Sequence, residues 1–548
     1  MMCLISIIYH IPFYCCTHNH PLLSHFAAAG ETRILMAAAL VKMQLKENNI
    51  DDLTEQQFIH NLIQMLSSSS PASKSACLKC IKKLVAHRKI VERLLEDAVT
   101  IPHLLGLISF NKFDLHLKQG AAEILAKLIE DSEQFEQPKY QGLQELQSKH
   151  NVSLLLEIMT SAEDQTKIQF LHLLVELSSK SEIARDLIQT DQVAITQLFS
   201  SLYSDHPEVR KWTMKLIYCI SEGHPDGVPL PKSPEKETAI TNLATILINS
   251  LDTEERTAAA GIISQLPRND SSIDEILRKS DALKAIHGVI CSMDDDIRGN
   301  IGYSDQGTCL LENALAALLR YTEPSKPELQ RQLGKLELYP SLVRVLTRGS
   351  SLAKRRTATA LAQLSLSTSR SFSDRNIMAQ QSKPSKPFFL EHISSMWCCS
   401  ASSHKFSSCS VHGDACSSRD AFCLVQADAV RPLVMTLSDT EPGVAEASLM
   451  ALETMLIDHS TQSQSTAAIV DSQSVAAILH VLEKGSVPAK TKALELFQKI
   501  LLHTTISAPL MQKFERILIQ LLSDDDLKKK AALTLRQMGL IPEQSSYF

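Results

Sequence analysis

Apolar residues along this chain fall in a two-part phrase that recurs with the same internal spacing. Leu62-Ile63 leads to Leu66, and twelve residues later Leu78 opens a second apolar stripe. Leu155-Leu156, Met159 and Leu171 repeat that spacing, as do Ile478-Leu479, Leu482 and Leu494. A looser form widens the gap to fifteen residues, in Leu342-Val343, Leu346, Leu361 and in Leu433-Val434, Leu437, Leu452. Positions at i, i+3, i+4 and i+7 share one face of a helix. Met36, Ala39, Leu40 and Met43 form such a face near the start, and Ala358, Leu361, Ala362 and Ser365 form one in the middle. Ala493, Leu496, Phe497, Ile500 and Leu501 form another towards the end. Helical pairs repeating every 40–50 residues or so mark a HEAT- or armadillo-type solenoid. The fold class expected is all-α, an armadillo/HEAT-type right-handed α-solenoid of about ten helical repeats. A solenoid offers an extended surface in place of a pocket, so binding is expected ahead of chemistry.

The repeats fill residues 20–369 and 423–540, with a short tail at 541–548. Turn signals separate the units at Ser67–Pro71, His206-Pro207, His224–Pro234 and Pro324–Pro327. Residues 370–422 break the rhythm: they are rich in Ser, Lys and Cys and contain Lys383-Pro384-Ser385-Lys386-Pro387. The segment reads as one long irregular insertion between two repeats, and loops of that length are either disordered or functional. Residues 1–19 are the other departure. The apolar run Met1–Cys16 has no Lys or Arg before Arg33 and is interrupted by Pro12. A signal peptide needs a charged start and a membrane helix needs about 20 apolar residues. The run therefore reads as an atypical terminus or a misassigned first exon, and no integral membrane span is expected.

Composition sharpens the class. Apolar residues make up 44% of the chain while aromatics are 5% and glycines number 17, a balance that favours stacked helices over sheets. A net charge of −6 leaves no basic excess for nucleic acid, which excludes that class of partner. The one basic cluster among the repeats, Lys354-Arg355-Arg356, is expected to be a solvated helix end. Thirteen cysteines are scattered, several inside apolar stripes (Cys77, Cys80, Cys219), which argues for a reducing compartment over a disulfide framework. The expected location is cytoplasmic, with a peripheral place at the plasma membrane or a nuclear one as the alternatives.

Candidate chemistry is confined to the insertion, which holds Cys398, Cys399, Cys409, His412, Cys416 and Cys423. Cys409-x2-His412-x3-Cys416 brings two thiols and an imidazole into one short loop, and Cys398, Cys399 or Cys423 would complete a tetrahedral set for zinc. The candidate metal set is Cys398, Cys409, His412 and Cys416. Against it, there are no paired Cys-x2-Cys knuckles and the spacing fits no standard finger, so free thiols flanking a semi-ordered loop stand as the other reading. Phosphate-loop, dinucleotide, zinc-protease and serine-hydrolase motifs are all absent from the sequence, so no catalytic or cofactor-binding residue is expected. His103, His172 and His287 sit in apolar stretches and read as structural. Trp212 and Trp397 are the only tryptophans, so the repeating Trp/Asn ladder of an importin-like cargo groove is missing.

The block LYPSLVRVLTRGSSLAKRRTATALAQLS at 338–365, then Trp397-Cys398-Cys399, Cys409-x-Val411-His412-x3-Cys416-Ser417 and Phe422-Cys423-Leu424-Val425, resembles the C-terminal armadillo region of large plant U-box ubiquitin ligases. Pro21-Leu22-Leu23 and TRILMAAALVK at 32–42 resemble a mid-chain armadillo repeat of the same proteins. The resemblance implies a protein-binding scaffold that holds targets along its groove, as the substrate-recognition part of a ligase in protein ubiquitination. The alternative is an adaptor or structural scaffold unrelated to ubiquitin transfer. A U-box begins with Cys-Pro-Ile/Leu, and this chain has no Cys-Pro dipeptide. The chain alone is therefore not expected to be an active enzyme, and an E2 would be a partner only where a U-box is supplied.

Overall fold

The computed structural model describes residues 30–42, 50, 53, 56–68, 70–109, 114–132, 141–222, 227–298, 305–333, 336, 338–381, 409–412 and 422–540. Among them every regular element is a helix, and the fold is an all-α solenoid. The chain divides into two units, one made of Met1–Asn242 with Gln265–Pro267, the other of Leu243–Ser264 with Arg268–Phe548.

In the first unit the helices Gly30–Lys42, Pro71–Leu84, Leu115–Glu130, Asp164–Lys180 and Pro207–Ser221 pack each on the next, like rungs of a ladder. In the second unit the rungs are Thr253–Ser264, Asp305–Thr322, Ser351–Gln381, Pro442–Thr454, Val487–Leu501 and Lys528–Gln537. A shorter helix backs several of them: Thr100–Ser109 lies on the 115–130 rung, Lys149–Ser161 on 164–180, and Ser474–Lys484 on 487–501.

The recurring phrase maps directly onto this pairing. Its first half falls on the backing segment and its second half on the rung. Leu62, Ile63, Leu66, Leu78, Leu155, Leu156, Met159 and Leu171 are all buried, as are Ile478, Leu479, Leu482 and Leu494. Burying a leucine in such a seam stabilises by roughly 1.5–3 kcal/mol, so the phrase accounts for much of what holds each repeat to its neighbours. Three stripe positions depart from the pattern: Ala39, Val343 and Leu501 are only half-buried.

Local sequence sets the boundaries. Ser70, Ser148 and Ser486 cap their helices by accepting the N–H three residues on, from Ser73, Asn151 and Ala489. Pro71, Pro207 and Pro442 stand at first helical positions, where a missing N–H removes nothing. The last rung ends on Gly539 at φ +75°, the left-handed region that favours glycine. Gly539 N–H donates to Arg536 O and Leu540 N–H to Leu535 O, both at 2.9 Å, which is a Schellman closure.

The helix from Ser351 continues to Gln381, past residue 369, where the sequence pattern loses its apolar stripe. No proline stands between those points, so nothing in the backbone stops the helix. The apolar terminus at 1–19, most of the insertion and the tail at 541–548 lie outside the described residues.

Candidate functional site

The rungs of the first unit present a continuous side. A cleft of about 470 Å³ runs between the 115–130, 164–180 and 207–221 rungs, lined by Lys82, Glu123, Lys127, His172, Glu208 and Trp212 among others. A second cleft of about 620 Å³ shares Lys82 and Glu123 and extends to Asp114 and His116. Lys82 Nζ and Glu123 Oε1 meet at 2.6 Å where the two clefts join. The His172 ring lies 4.3 Å from that of Trp212, and Lys215 Nζ sits 4.8 Å over the indole. Burial lowers the His172 pKa, with Lys215 and Lys127 acting in the same direction and Glu130 and Glu123 opposing, so the imidazole stays neutral further into acid than usual. The arrangement is a mixed-charge trough with one half-buried aromatic and no nucleophile-base pair. The other two histidines make local contacts. His103 Nδ1 lies 2.7 Å from Val99 O and Nε2 2.6 Å from Ser67 Oγ, while His287 Nε2 is 3.4 Å from Cys291 Sγ.

In the second unit, the repeats on either side of the insertion are joined directly. Ser351 Oγ donates to Asp439 Oδ1 at 2.8 Å and Lys354 Nζ to Asp439 Oδ2 at 2.9 Å. Arg355 Nη1 is 3.7 Å from Glu441 Oε1, and Arg356 Nη1 donates to Glu312 O at 2.6 Å. The Lys354-Arg355-Arg356 run is therefore only partly a solvated helix end: Arg355 is exposed, while the turn at 439–441, arriving from beyond the insertion, supplies carboxylates to Lys354 and Arg355. Deeper in, Thr454 Oγ1 donates to Ser365 Oγ at 2.6 Å. Asp439 and Glu441 escaped notice in the sequence, although an acidic turn just before Pro442 is a helix-start signal.

The described parts of the insertion carry the Cys/His cluster. One turn, 409–412, presents the Cys409 thiol and the His412 imidazole, and Cys423 arrives as the chain returns to the repeats. Cys409 Sγ and Cys423 Sγ are 3.7 Å apart, and His412 Nδ1 is 3.9 Å from the first and 3.4 Å from the second. Both thiols are buried against Val411, Val425 and Ala468, and His412 is half-buried. Phe422 anchors the return by packing its ring 4.6 Å from that of Tyr339. Of the residues expected to bind metal, Cys409 and His412 come together with Cys423. Cys398 and Cys416 lie outside the described residues, as do Cys399 and Trp397.

No protein-family model matches the chain. It is 24% identical over 561 residues to U-box domain-containing protein 24 of Oryza sativa subsp. japonica, covering 94% of this chain and 65% of that protein. It is 23% identical over 535 residues to U-box domain-containing protein 44 of Arabidopsis thaliana, and 25% identical over 535 to protein 43, each covering 94% of this chain and 64% of the relative. The chain is thus similar along most of its length to plant U-box domain-containing proteins. It spans less than two thirds of the length of those three proteins. A crystal structure of an engineered protein superposes with a TM-score of 0.58 at 17% identity, covering 88% of this chain and 98% of that one, a likeness of fold alone. Among the described residues, no single helix is long and apolar enough to cross a bilayer.

Proposed function

We propose that the chain is an armadillo-type protein-binding scaffold that serves as the target-recognition part of a plant U-box ubiquitin ligase. The observation that carries the reading is the match to U-box proteins across 94% of the chain, in a fold whose rungs leave a mixed-charge trough. The first unit's trough, with Trp212 and His172 beside alternating Lys and Glu side chains, would hold a segment of a target protein. Ubiquitin transfer would then depend on bringing that target to an E2, which is catalysis by proximity and orientation.

The test is affinity capture with the tagged full chain from plant extract, beside a Trp212→Ala/Lys82→Glu variant, with the captured clients assayed for ubiquitylation by a U-box fusion and an E2. Clients lost from the variant and ubiquitylated by the fusion support the reading. Clients that are captured equally by both forms, or are never ubiquitylated, overturn it. The second outcome would favour an adaptor unrelated to ubiquitin.

A further inference from the structure

We infer that Cys409, His412 and Cys423 form a zinc site that fastens the end of the insertion to the second unit. Zinc bonds to thiolate at about 2.3 Å and to imidazole nitrogen at about 2.0–2.1 Å, so ligands on two corners of a tetrahedron stand about 3.8 Å apart for two sulfurs and about 3.6 Å for sulfur and nitrogen. The observed separations are 3.7 Å for Cys409–Cys423, and 3.4 and 3.9 Å from His412 Nδ1 to the two sulfurs. All three edges thus fit one face of a zinc tetrahedron. A sulfur–sulfur separation of 3.7 Å is nearly twice the length of a disulfide bond, so the thiols are poised to share something between them and are not bonded to each other.

The surroundings favour an ion as well. Two thiols and an imidazole converge where the other neighbours are Val411, Val425 and Ala468. Two thiolates cancel the charge of a divalent ion, which makes a neutral cluster that an apolar wall tolerates, whereas a lone buried thiolate there would be costly. Two sulfurs and one imidazole nitrogen select zinc over the oxygen-seeking magnesium and calcium. The half-buried His412 gives the ion a way in from solvent. The turn 409–412 has few apolar side chains with which to hold itself in place, and metal binding would supply that order. The three residues account for three corners; the fourth is open to solvent or to another thiolate.

The test uses the full chain purified under reducing conditions without chelator. Elemental analysis is expected to find about one zinc per chain, retained in Cys309→Ser, whose thiol is exposed on another helix. Cys423→Ser and His412→Ala are expected to weaken zinc at least about a hundredfold, since even outer-shell changes cost 10–100-fold. Cobalt-substituted wild-type protein, which needs no variant to fold, is expected to show intense tetrahedral d–d bands and thiolate charge transfer. Wild-type chain that stays metal-free after incubation with zinc, zinc that survives the Cys409→Ser/Cys423→Ser change, or a Cys409–Cys423 disulfide in reduced preparations would overturn the proposal.

Discussion

Asp439 has a side chain only 7% exposed, yet it keeps its charge. Burial alone would raise its pKa, but the Lys354 ammonium, the Ser351 hydroxyl and the Glu441 amide together hold it below the ordinary carboxylate value of 3.8. A depressed carboxylate contributes stability that is fully present above its unfolded pKa and is lost as pH falls through the folded one. Asp439→Asn is therefore expected to destabilise the second unit by about 2–3 kcal/mol at pH 7, with the gap to wild type closing as the solution is acidified and Asp439 becomes protonated. Urea unfolding at pH 7 and across an acid series reads this directly. His172 makes the mirror case. Its lowered pKa means that the neutral ring on Trp212 persists below the usual histidine value of 6.5, and that protonation then works against the fold. In a Trp397→Phe background, indole fluorescence is expected to be quenched by the imidazolium only on acidification past that value, and the step should vanish in His172→Gln. At this scale the sequence disclosed burial well, because leucines at helical spacing have one place to go. It was silent on Asp439 and Trp212, whose meaning depends on partners more than thirty residues away.

The helices share one joint, repeated. In Arg348-Gly349-Ser350 and Lys484-Gly485-Ser486 the serine caps its own rung and also donates to a glutamate on the preceding one, Ser350 to Glu312 at 2.6 Å and Ser486 to Glu446 at 2.8 Å. The glycine before it passes so close to the backing helix that an added Cβ would meet Val345 O at 2.7 Å or Val481 O at 2.6 Å. Ser486→Ala removes both bonds and is expected to cost about 1–2 kcal/mol, measurable as a shift in the unfolding midpoint. The Gly-Ser pair is visible in the sequence as a turn, but its second role is not, since nothing local tells a serine which glutamate it will meet. The same limit explains the insertion: Cys409 and His412 announce themselves by spacing, whereas the convergence of Cys423 on them depends on how Phe422 seats against Tyr339.

In the whole molecule each repeat touches only its neighbours, so a lesion should stay local. Phe497 and Phe514 stack with ring centroids 3.9 Å apart and are fully buried. Phe497→Ala is expected to cost about 3–5 kcal/mol. Hydrogen exchange should then rise in Pro442–Thr454, Val487–Leu501 and Ala508–Leu521 while Asp164–Lys180 is unchanged. The all-α solenoid and the likeness to U-box proteins were legible because both are written in period and spacing; a binding partner is not, because a binding face is made of the same exposed Lys and Glu that any solvated helix carries.

The direct joining of repeats across the insertion bears on the order in which the chain folds. Elsewhere rung-to-rung bonds made by side chains link residues 32 to 56 apart, as in Gln498–Lys530 and Asn313–Thr257, whereas Ser351–Asp439 and Ser365–Thr454 link residues 88 and 89 apart. Doubling a loop costs only about 0.6 kcal/mol in closure entropy, so the seam is nearly as strong as its neighbours once made. Time is another matter, since distant contacts form late. The seam at Asp439 is therefore expected to close more slowly than the shorter-range joints before it, and a chain still emerging from the ribosome must carry the 351–381 helix with that face uncovered until residue 454 has been made.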